Sequence, residues 1–177
     1  MIKQLTTKLV YESKWMKLRV DDIEYEGGTK GVYDVVDKPD FALIVPLVDD
    51  KLYLVKQYRY PVEGVFWEFP QGSHEEDPGI DARKLALSEL KEETGLTAKK
   101  IKKIGYLHEA YGFCSQGFHI FLAEDFTQGE QQLEAGEEGM EVGLFSIAEF
   151  EKMVKDGKIR DAATVSAYGL LKMSNVA

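Results

Sequence analysis

Three carboxylates lie close together between Ser88 and Leu96, in the run SELKEETGL. Glu89, Glu92 and Glu93 stand at positions i, i+3 and i+4, which places all three side chains on one face of a helix. Like charges at this spacing cost roughly 0.2–0.5 kcal/mol per pair, and acids near a helix C-terminus oppose the helix dipole. A bound divalent cation removes both penalties, and carboxylate oxygens are the ligands that Mg²⁺ prefers. The pattern therefore predicts a magnesium site.

The competing interpretation is a solvated acidic helix face, with Lys84 and Lys91 nearby. The surrounding sequence argues against it. PQGS precedes the predicted helix and EETGL ends it, and together these segments resemble the Nudix box. The family pattern is a glycine, an upstream glutamate, then Arg-Glu-apolar-x-Glu-Glu-x-Gly-apolar. In this chain Gly72 opens the pattern and Glu89–Leu96 closes it.

The resemblance implies which groups hold the metal. Glu89 and Glu93 are expected to be the main ligands, with Glu92 assisting. The backbone carbonyl of Gln71, just before the opening glycine, is expected to add a further oxygen. The implied cofactor is Mg²⁺, with Mn²⁺ as the alternative.

The box departs from the family pattern in two places. Ser88 stands where the family has arginine, so the ion pair that normally orients the glutamates is missing. The stretch from Gly72 to Glu89 is two residues longer than usual. The upstream glutamate therefore has no unique match, and Glu75, Glu76 and Asp77 all remain candidates. We interpret the sequence as a variant box with an intact metal end.

A late acidic loop, residues 129–141, is the expected source of the catalytic base. In relatives that act on ADP-ribose, a glutamate on this loop takes a proton from the attacking water. Matching the strand that follows puts Glu138 in the catalytic position, with Glu137 next, while Glu93 contributes through the metal. The alternative is a solvated acidic loop without a catalytic role.

The run Gln57-Tyr58-Arg59-Tyr60 resembles the family's Gln-x-Arg strand before the box. Arg59 is expected to hold a substrate phosphate through its bidentate fork. The alternative is a surface arginine that pairs with Glu68 or Asp34. Glu68 itself matches a glutamate common in relatives, and is expected to contact substrate or a bridging water.

Aromatic side chains supply candidates for stacking on a nucleotide base, because stacking tolerates any base. For each of them, packing in the core is the more frequent role. The candidates are Trp15, Tyr33, Phe41, Tyr58 and Phe113, of which Trp15, Tyr58 and Phe113 are predicted to bind substrate.

The flanks indicate the substrate class. The tail segment Gly157–Ala162 with Thr164 is similar to Nudix hydrolases of ADP-ribose and other nucleoside diphosphate sugars. That branch hydrolyses its substrate to a nucleoside monophosphate and a sugar phosphate, and the resemblance implies a homodimer. Tyr111 stands near the place where ADP-ribose hydrolases typically carry a Pro-Gly pair, and a tyrosine there is more usual in enzymes that act on dinucleoside polyphosphates. The alternative function is therefore a dinucleoside polyphosphate or GDP-mannose hydrolase. A nucleotide-binding regulatory module without activity is a third possibility, supported only by Ser88 and the longer loop.

The elements that must position these residues form a mixed α/β pattern. Strands are predicted within 7–36, with a break at Gly27-Gly28, and then at 41–48, 51–60, 66–70, 102–107, 118–123 and in GLFSI. Helices are predicted at 81–94, 147–156 and 161–172. We predict the α/β (α+β) class: a Nudix-type α/β/α sandwich with a mixed sheet, as a single domain over 1–177. Residues 1–40 form its N-terminal antiparallel β extension, predicted to serve dimerisation and substrate binding.

Composition narrows the function further. A net charge of −9 argues against nucleic acid as a partner, which needs a basic face. The single cysteine, Cys114, cannot form an intramolecular disulfide. The first residues lack the apolar core of a signal peptide, and no stretch approaches a membrane span. We expect a cytoplasmic protein without membrane association.

Overall fold

The computed structural model describes residues 1–74, 77, 79–133 and 135–174. The strands are β1 (Lys3–Glu12), β2 (Lys17–Glu24), β3 (Lys30–Asp37), β4 (Phe41–Val48), β5 (Lys51–Arg59), β6 (Gly64–Glu68), β7 (Gln71–Gly72), β8 (Leu96–His108), β9 (Gly117–Gln128) and β10 (Glu141–Ser146). The helices are α1 (Ala82–Thr94), α2 (Ile147–Lys155) and α3 (Ala162–Met173), and short 3-10 turns span Tyr60–Val62 and Ala135–Glu137. No helix within these ranges is long and apolar enough to cross a membrane.

The first three strands form an antiparallel sheet of their own, in the order β1-β2-β3. The predicted break at Gly27-Gly28 is the turn between β2 and β3. There the Tyr25 N–H donates to the Thr29 carbonyl at 2.8 Å, and Gly28 has a φ of 80°, which glycine adopts without a steric penalty. All ten residues of β1 are exposed in the single chain.

The central sheet is mixed, as predicted. Its path runs β10-β5-β4-β9-β8, with β6 added to β5 and β7 to β4. β4 runs parallel to β9 and antiparallel to β5 and β7. Side chains alternate along β4, so Leu43 and Val45 enter one core cluster while Ala42 and Ile44 enter the other.

Helices cover both faces of the central sheet. Leu85, Ala86 and Leu90 of α1 pack on one face, whereas the side chains of α2 and α3 pack on the other, with Phe150 and Leu171 fully buried. The predicted α/β/α sandwich is therefore confirmed. Because the sheet is buried on both sides, β4 is a continuous apolar run with no polar alternation.

Strands β8 and β9 are longer than the sequence predicted. They pair antiparallel from Leu96 opposite Gln128 to His108 opposite Gly117. The prediction of 102–107 missed the first half of β8 because exposed lysines, Lys99 and Lys100 among them, break its apolar pattern. β8 lies at the edge of the sheet, and charged side chains are usual on an edge strand.

Candidate active site

A cleft of about 630 Å³ lies where α1, β5, β7 and the acidic loop meet. Predicted site residues from five separate parts of the chain line it together. They are Trp15, Arg59, Gln71, Glu89, Glu92, Glu93 and Glu137. Gln57 and Lys14 also line the cleft.

Helix α1 presents the three box carboxylates to this cleft, and its ends are fixed locally. The Asp81 side chain accepts the Lys84 N–H at 3.0 Å, which caps the first turn. At the other end Gly95 has a φ of 74°, and its N–H donates to the Lys91 carbonyl, as in a left-handed C-terminal cap. These caps fix where the helix that carries the three glutamates begins and ends.

Glu93 is the buried member of the cluster, with 1% of its surface exposed. Its carboxylate accepts the Gln71 backbone N–H at 3.1 Å. Burial raises the pKa of Glu93 well above its ordinary value, the charges of Glu89, Glu137 and Glu68 raise it further, and the Gln71 N–H opposes the rise. Negative charge is therefore concentrated around Glu93.

Gly72, the first residue of the box, lies against the carboxyl group of Glu89. A Cβ atom at position 72 would overlap all three atoms of that carboxyl. The opening glycine of the box is thus explained by the space that Glu89 occupies.

Ser88, the departure from the family's arginine, makes a local contact instead of an ion pair. Its hydroxyl donates to Oε1 of Glu92 at 2.5 Å, one helical turn away. A hydrogen bond from an uncharged hydroxyl therefore orients Glu92 where the family pattern has a charged partner.

The donor set fits a hard divalent cation. The cleft offers carboxylate oxygens of Glu89, Glu92 and Glu93 beside the Gln71 backbone, and oxygen ligands suit Mg²⁺ or Mn²⁺. Within the described ranges no three His, Cys, Asp or Glu side chains already converge as a finished metal site. The fit rests on the negative charge that Glu89, Glu137 and Glu68 concentrate around Glu93, which a cation would neutralise.

Arg59 reaches the same cleft from the end of β5. It binds Glu68 through two nitrogens, with Nε 3.1 Å from Oε2 and a terminal nitrogen on Oε1. Gln57 Nε2 donates to the same carboxylate at 2.7 Å. Glu68 is 2% exposed, whereas the Arg59 side chain is 40% exposed. The pairing considered as an alternative is present, and Arg59 nevertheless lines the cleft.

Glu68, predicted to contact substrate or a bridging water, is buried and bonded to two side chains of this chain. Its carboxylate is occupied by Arg59 and Gln57. Burial raises the pKa of Glu68 and the Arg59 charge lowers it. Burial lowers the pKa of Arg59, but the charge and hydrogen bond of Glu68 produce a net rise, so the guanidinium stays protonated. Glu68 holds Arg59 in place.

The structure places Glu137, rather than Glu138, on the cleft. Glu137 ends the 3-10 turn Ala135–Glu137, lines the cleft and is close enough for its charge to raise the pKa of Glu93. Glu138 is exposed and is not among the lining residues. The 3-10 turn ends at Glu137, and Glu138 belongs to the turn that follows it.

The three aromatic residues predicted to bind substrate differ in whether they line the cleft. Trp15 lines the cleft with 52% of its surface exposed, and the Lys14 ammonium lies 4.1 Å from its ring centroid. Tyr58 and Phe113 are exposed but line no part of the cleft. Tyr58 stands between Gln57 and Arg59 on β5, and alternation along the strand turns it to the opposite face. Phe113 belongs to the β8–β9 loop, where its carbonyl accepts the Val36 N–H at 2.8 Å.

The upstream glutamate stays undetermined. Glu75 and Glu76 lie outside the described residues. Asp77, the third candidate, is exposed and its backbone N–H donates to Nδ1 of His74 at 3.1 Å.

Thr164 of α3 and Asp161, which caps that helix, support the site, and this role was not predicted from the sequence. The Phe69 N–H donates to Thr164 Oγ1 at 2.9 Å. Gln71 Nε2 donates to Asp161 Oδ2 at 3.3 Å, and the same carboxylate caps α3 through the Thr164 N–H at 2.7 Å. The tail motif contained both residues, but the sequence gives no sign that they hold the segment before the box.

Comparison with known proteins identifies the family. The model of the NUDIX domain matches residues 38–167, and that of the nucleoside diphosphate sugar hydrolase N-terminal domain matches residues 2–36. The chain belongs to the Nudix hydrolases, enzymes that act on phosphorus-containing anhydrides. The predicted family is therefore confirmed.

Individual relatives are similar over nearly the whole chain. An ADP-ribose pyrophosphatase of Bacillus subtilis is 32% identical over 173 residues, covering 97% of this chain and 92% of that protein. The methanol dehydrogenase activator of Bacillus methanolicus is 28% identical, with the same coverage of 97% and 92%. A crystal structure of an ADP compounds hydrolase superposes with a TM-score of 0.85 at 27% identity, covering 97% of this chain and 92% of that one.

Proposed function

We propose that this protein hydrolyses ADP-ribose or a related nucleoside diphosphate sugar to a nucleoside monophosphate and a sugar phosphate, with Mg²⁺ as cofactor. The observation that carries the proposal is the cleft in which Arg59 faces the carboxylates of Glu89, Glu93 and Glu137. Similarity to an ADP-ribose pyrophosphatase over 97% of the chain supports this substrate class.

Glu89 and Glu93, assisted by Glu92 and the Gln71 carbonyl, would hold the cation. When bound, Mg²⁺ supplies charge that draws an anionic diphosphate into an acidic cleft and lowers the pKa of a coordinated water. Because Glu93 is buried among other carboxylates, a cation would stabilise its charged form more than that of an exposed glutamate.

Arg59 binds the diphosphate from the opposite wall. A guanidinium has five N–H donors in one plane, and Glu68 uses donors on only two of its nitrogens. The remaining donors are available to phosphate oxygens. Because Glu68 fixes the plane of the guanidinium, little side-chain freedom is lost when substrate binds.

Glu137 accepts the proton of the attacking water. The water oxygen forms a bond to one phosphorus of the diphosphate as the P–O bond to the bridging oxygen breaks. The proton goes to the Glu137 carboxylate, and the bridging oxygen leaves with the second phosphate. The products are two phosphomonoesters. Trp15, exposed at the edge of the cleft, stacks on the nucleotide base.

A second copy of the chain covers β1. This strand exposes all ten of its residues, including Leu9, Val10 and Tyr11, each at least half exposed. An exposed strand with apolar side chains is normally paired or covered. Since Trp15 follows β1 directly, a homodimer formed there would border the cleft.

A nucleotide panel tests the activity. ADP-ribose, other nucleoside diphosphate sugars, GDP-mannose and diadenosine polyphosphates are incubated with Mg²⁺, Mn²⁺ or EDTA. Phosphate is then measured with and without added phosphatase. Cleavage between the two phosphates of a nucleoside diphosphate sugar releases phosphate only after phosphatase treatment.

Each outcome of the panel supports one of the alternative functions over the others. Highest kcat/KM on diadenosine polyphosphates or GDP-mannose would transfer the assignment to those substrates. Tight binding without metal-stimulated hydrolysis of any substrate would support a regulatory module. Sedimentation of the same preparation measures whether the protein is a dimer.

A further inference from the structure

The C-terminal end of α1 is capped by a distant segment. A helix leaves its last four carbonyls without partners inside the helix. Here the Gly95 N–H donates to the Lys91 carbonyl, and residues 128–132, which begin at the last residue of β9, donate to the other three carbonyls. The bonds are Gln132 N–H to Glu92 O at 2.8 Å, Gln131 Nε2 to Glu93 O at 2.7 Å and Gln128 Nε2 to Thr94 O at 3.2 Å.

A backbone contact between two glycines completes this connection. The Gly129 N–H donates to the Gly95 carbonyl at 2.9 Å. A Cβ on Gly95 would lie 2.5 Å from the Gly129 carbonyl oxygen, so this close approach requires glycine. We call residues 128–132, with their bonds to the end of α1, the loop anchor.

The loop anchor leads directly into the acidic loop that carries Glu137. Glu93 is consequently held on two sides, with its carboxylate on the Gln71 N–H and its carbonyl on the Gln131 side chain. The first residues of the acidic loop are thus bonded to the same helix turn that presents Glu93 to the cleft.

The bonds of the loop anchor differ in how a substitution affects them. Gln132 and Gly129 donate through the main chain, which most substitutions leave intact. Gln128 is also fixed by its pairing with Leu96 at the end of β9. Gln131 is exposed, lies in no strand or helix and reaches α1 only with its side chain. The Gln131 amide is therefore the anchor bond that a side-chain substitution removes while the main-chain bonds remain.

We propose that Gln131 is a positioning residue for hydrolysis: its side-chain amide fixes the acidic loop to the Glu93 carbonyl so that Glu137 stays over the box carboxylates. This inference rests on the proposed function, which gives Glu137 its role. Gln131 touches neither substrate nor cation, and it acts by limiting the distance between Glu137 and the end of α1.

The test compares Gln131→Met with Gln132→Met. Methionine keeps the length of glutamine but removes its N–H donor, and the side chain of Gln132 makes none of the anchor bonds. We expect Gln131→Met to lower kcat by about tenfold or more with KM changed less than about twofold, since displacing a catalytic group by about 1 Å can cost 10²-fold. Gln132→Met should stay within about twofold of wild type. Gln131→Lys, which restores a donor beside helix carbonyls, should recover most of the rate.

Amide hydrogen exchange measures the same contact without any substrate. In Gln131→Met the amides of residues 129–140 should exchange about tenfold faster or more, with the core strands unchanged, and Gln132→Met should not show this. Equal exchange and equal kcat in the two methionine variants would overturn the proposal. If the wild type hydrolyses nothing in the panel, the proposed function fails, while the exchange result still decides whether Gln131 holds the loop.

Discussion

Gly72 and Glu89 occupy adjoining space, so that the carboxyl group of Glu89 lies where a side chain at position 72 would begin. Glu89 stands seventeen positions after Gly72. Gly72 opens the motif, and Glu89 begins the segment that closes it. Their contact explains why the motif needs a glycine at a position whose φ is ordinary.

Gly72→Ala should displace the Glu89 carboxylate and lower kcat/KM by about a hundredfold, because a displacement of about 1 Å at a catalytic group can cost that much. The apparent Mg²⁺ affinity, measured from the dependence of the rate on metal concentration, should fall with it. Gly169→Ala is the matched control. It lies within α3 with no atom near its added Cβ, so activity should be kept and stability raised by about 0.5–1 kcal/mol. Full activity in Gly72→Ala would contradict this account of the box glycine.

Glu93→Gln should lower kcat by more than about a hundredfold while the fold is retained. The pKa of Glu93 is raised by burial and by neighbouring carboxylates, so the charged form is unfavourable in the absence of metal. The neutral amide removes that cost. In EDTA the variant should melt at the same temperature as wild type or higher, and Mg²⁺ should no longer raise its Tm. A Tm response to Mg²⁺ equal to that of wild type would contradict the assignment.

Glu137→Gln and Glu138→Gln form a matched pair of neighbouring substitutions. Only Glu137 lines the cleft, so its replacement should lower kcat by roughly 10²–10⁴-fold, the usual range for a lost general base. Glu138→Gln should keep most of the activity, and both proteins should show the wild-type Tm. The reverse order of the two rates would return the catalytic role to Glu138, as the sequence alignment predicted.

His119 should make the protein less stable in mild acid. Burial lowers its pKa from 6.5, Lys103 lowers it further and Asp40 opposes them; Lys103 Nζ lies 2.8 Å from Nδ1 and Asp40 Oδ2 lies 3.6 Å from Nε2. The unfolded chain therefore binds more protons than the folded one once the pH falls below the unfolded pKa. The contribution of neutral His119 to the free energy of unfolding is complete above the pKa of the unfolded chain. It is lost as the pH falls through the lower pKa of the folded protein.

His119→Gln removes this proton uptake. The loss of Tm between about pH 7.5 and pH 5.5 should therefore be smaller in the variant than in wild type. Thermal melts in buffers of matched ionic strength measure the difference. Parallel Tm curves for the two proteins would show that His119 does not contribute to acid sensitivity.

The sequence by itself predicted the helix face that carries the three box carboxylates. The spacing of Glu89, Glu92 and Glu93 is a property of one helix, and Asp81 and Gly95 cap that helix with bonds to their own neighbours. Such contacts depend on residues a few positions apart, so propensity and periodicity contain the information. The apolar run of β4 likewise predicted a strand buried on both faces.

Only the tertiary structure decided which residues meet across the cleft. Glu137 rather than Glu138 faces Glu93, Trp15 rather than Tyr58 borders the cleft, and Gln71 bonds Asp161 from 90 residues away. These outcomes depend on how a short turn is rotated and on which face of a strand packs inward. Long-range packing determines the rotation of the turn and the inward face of the strand, and neither can be predicted from a local pattern of residue types.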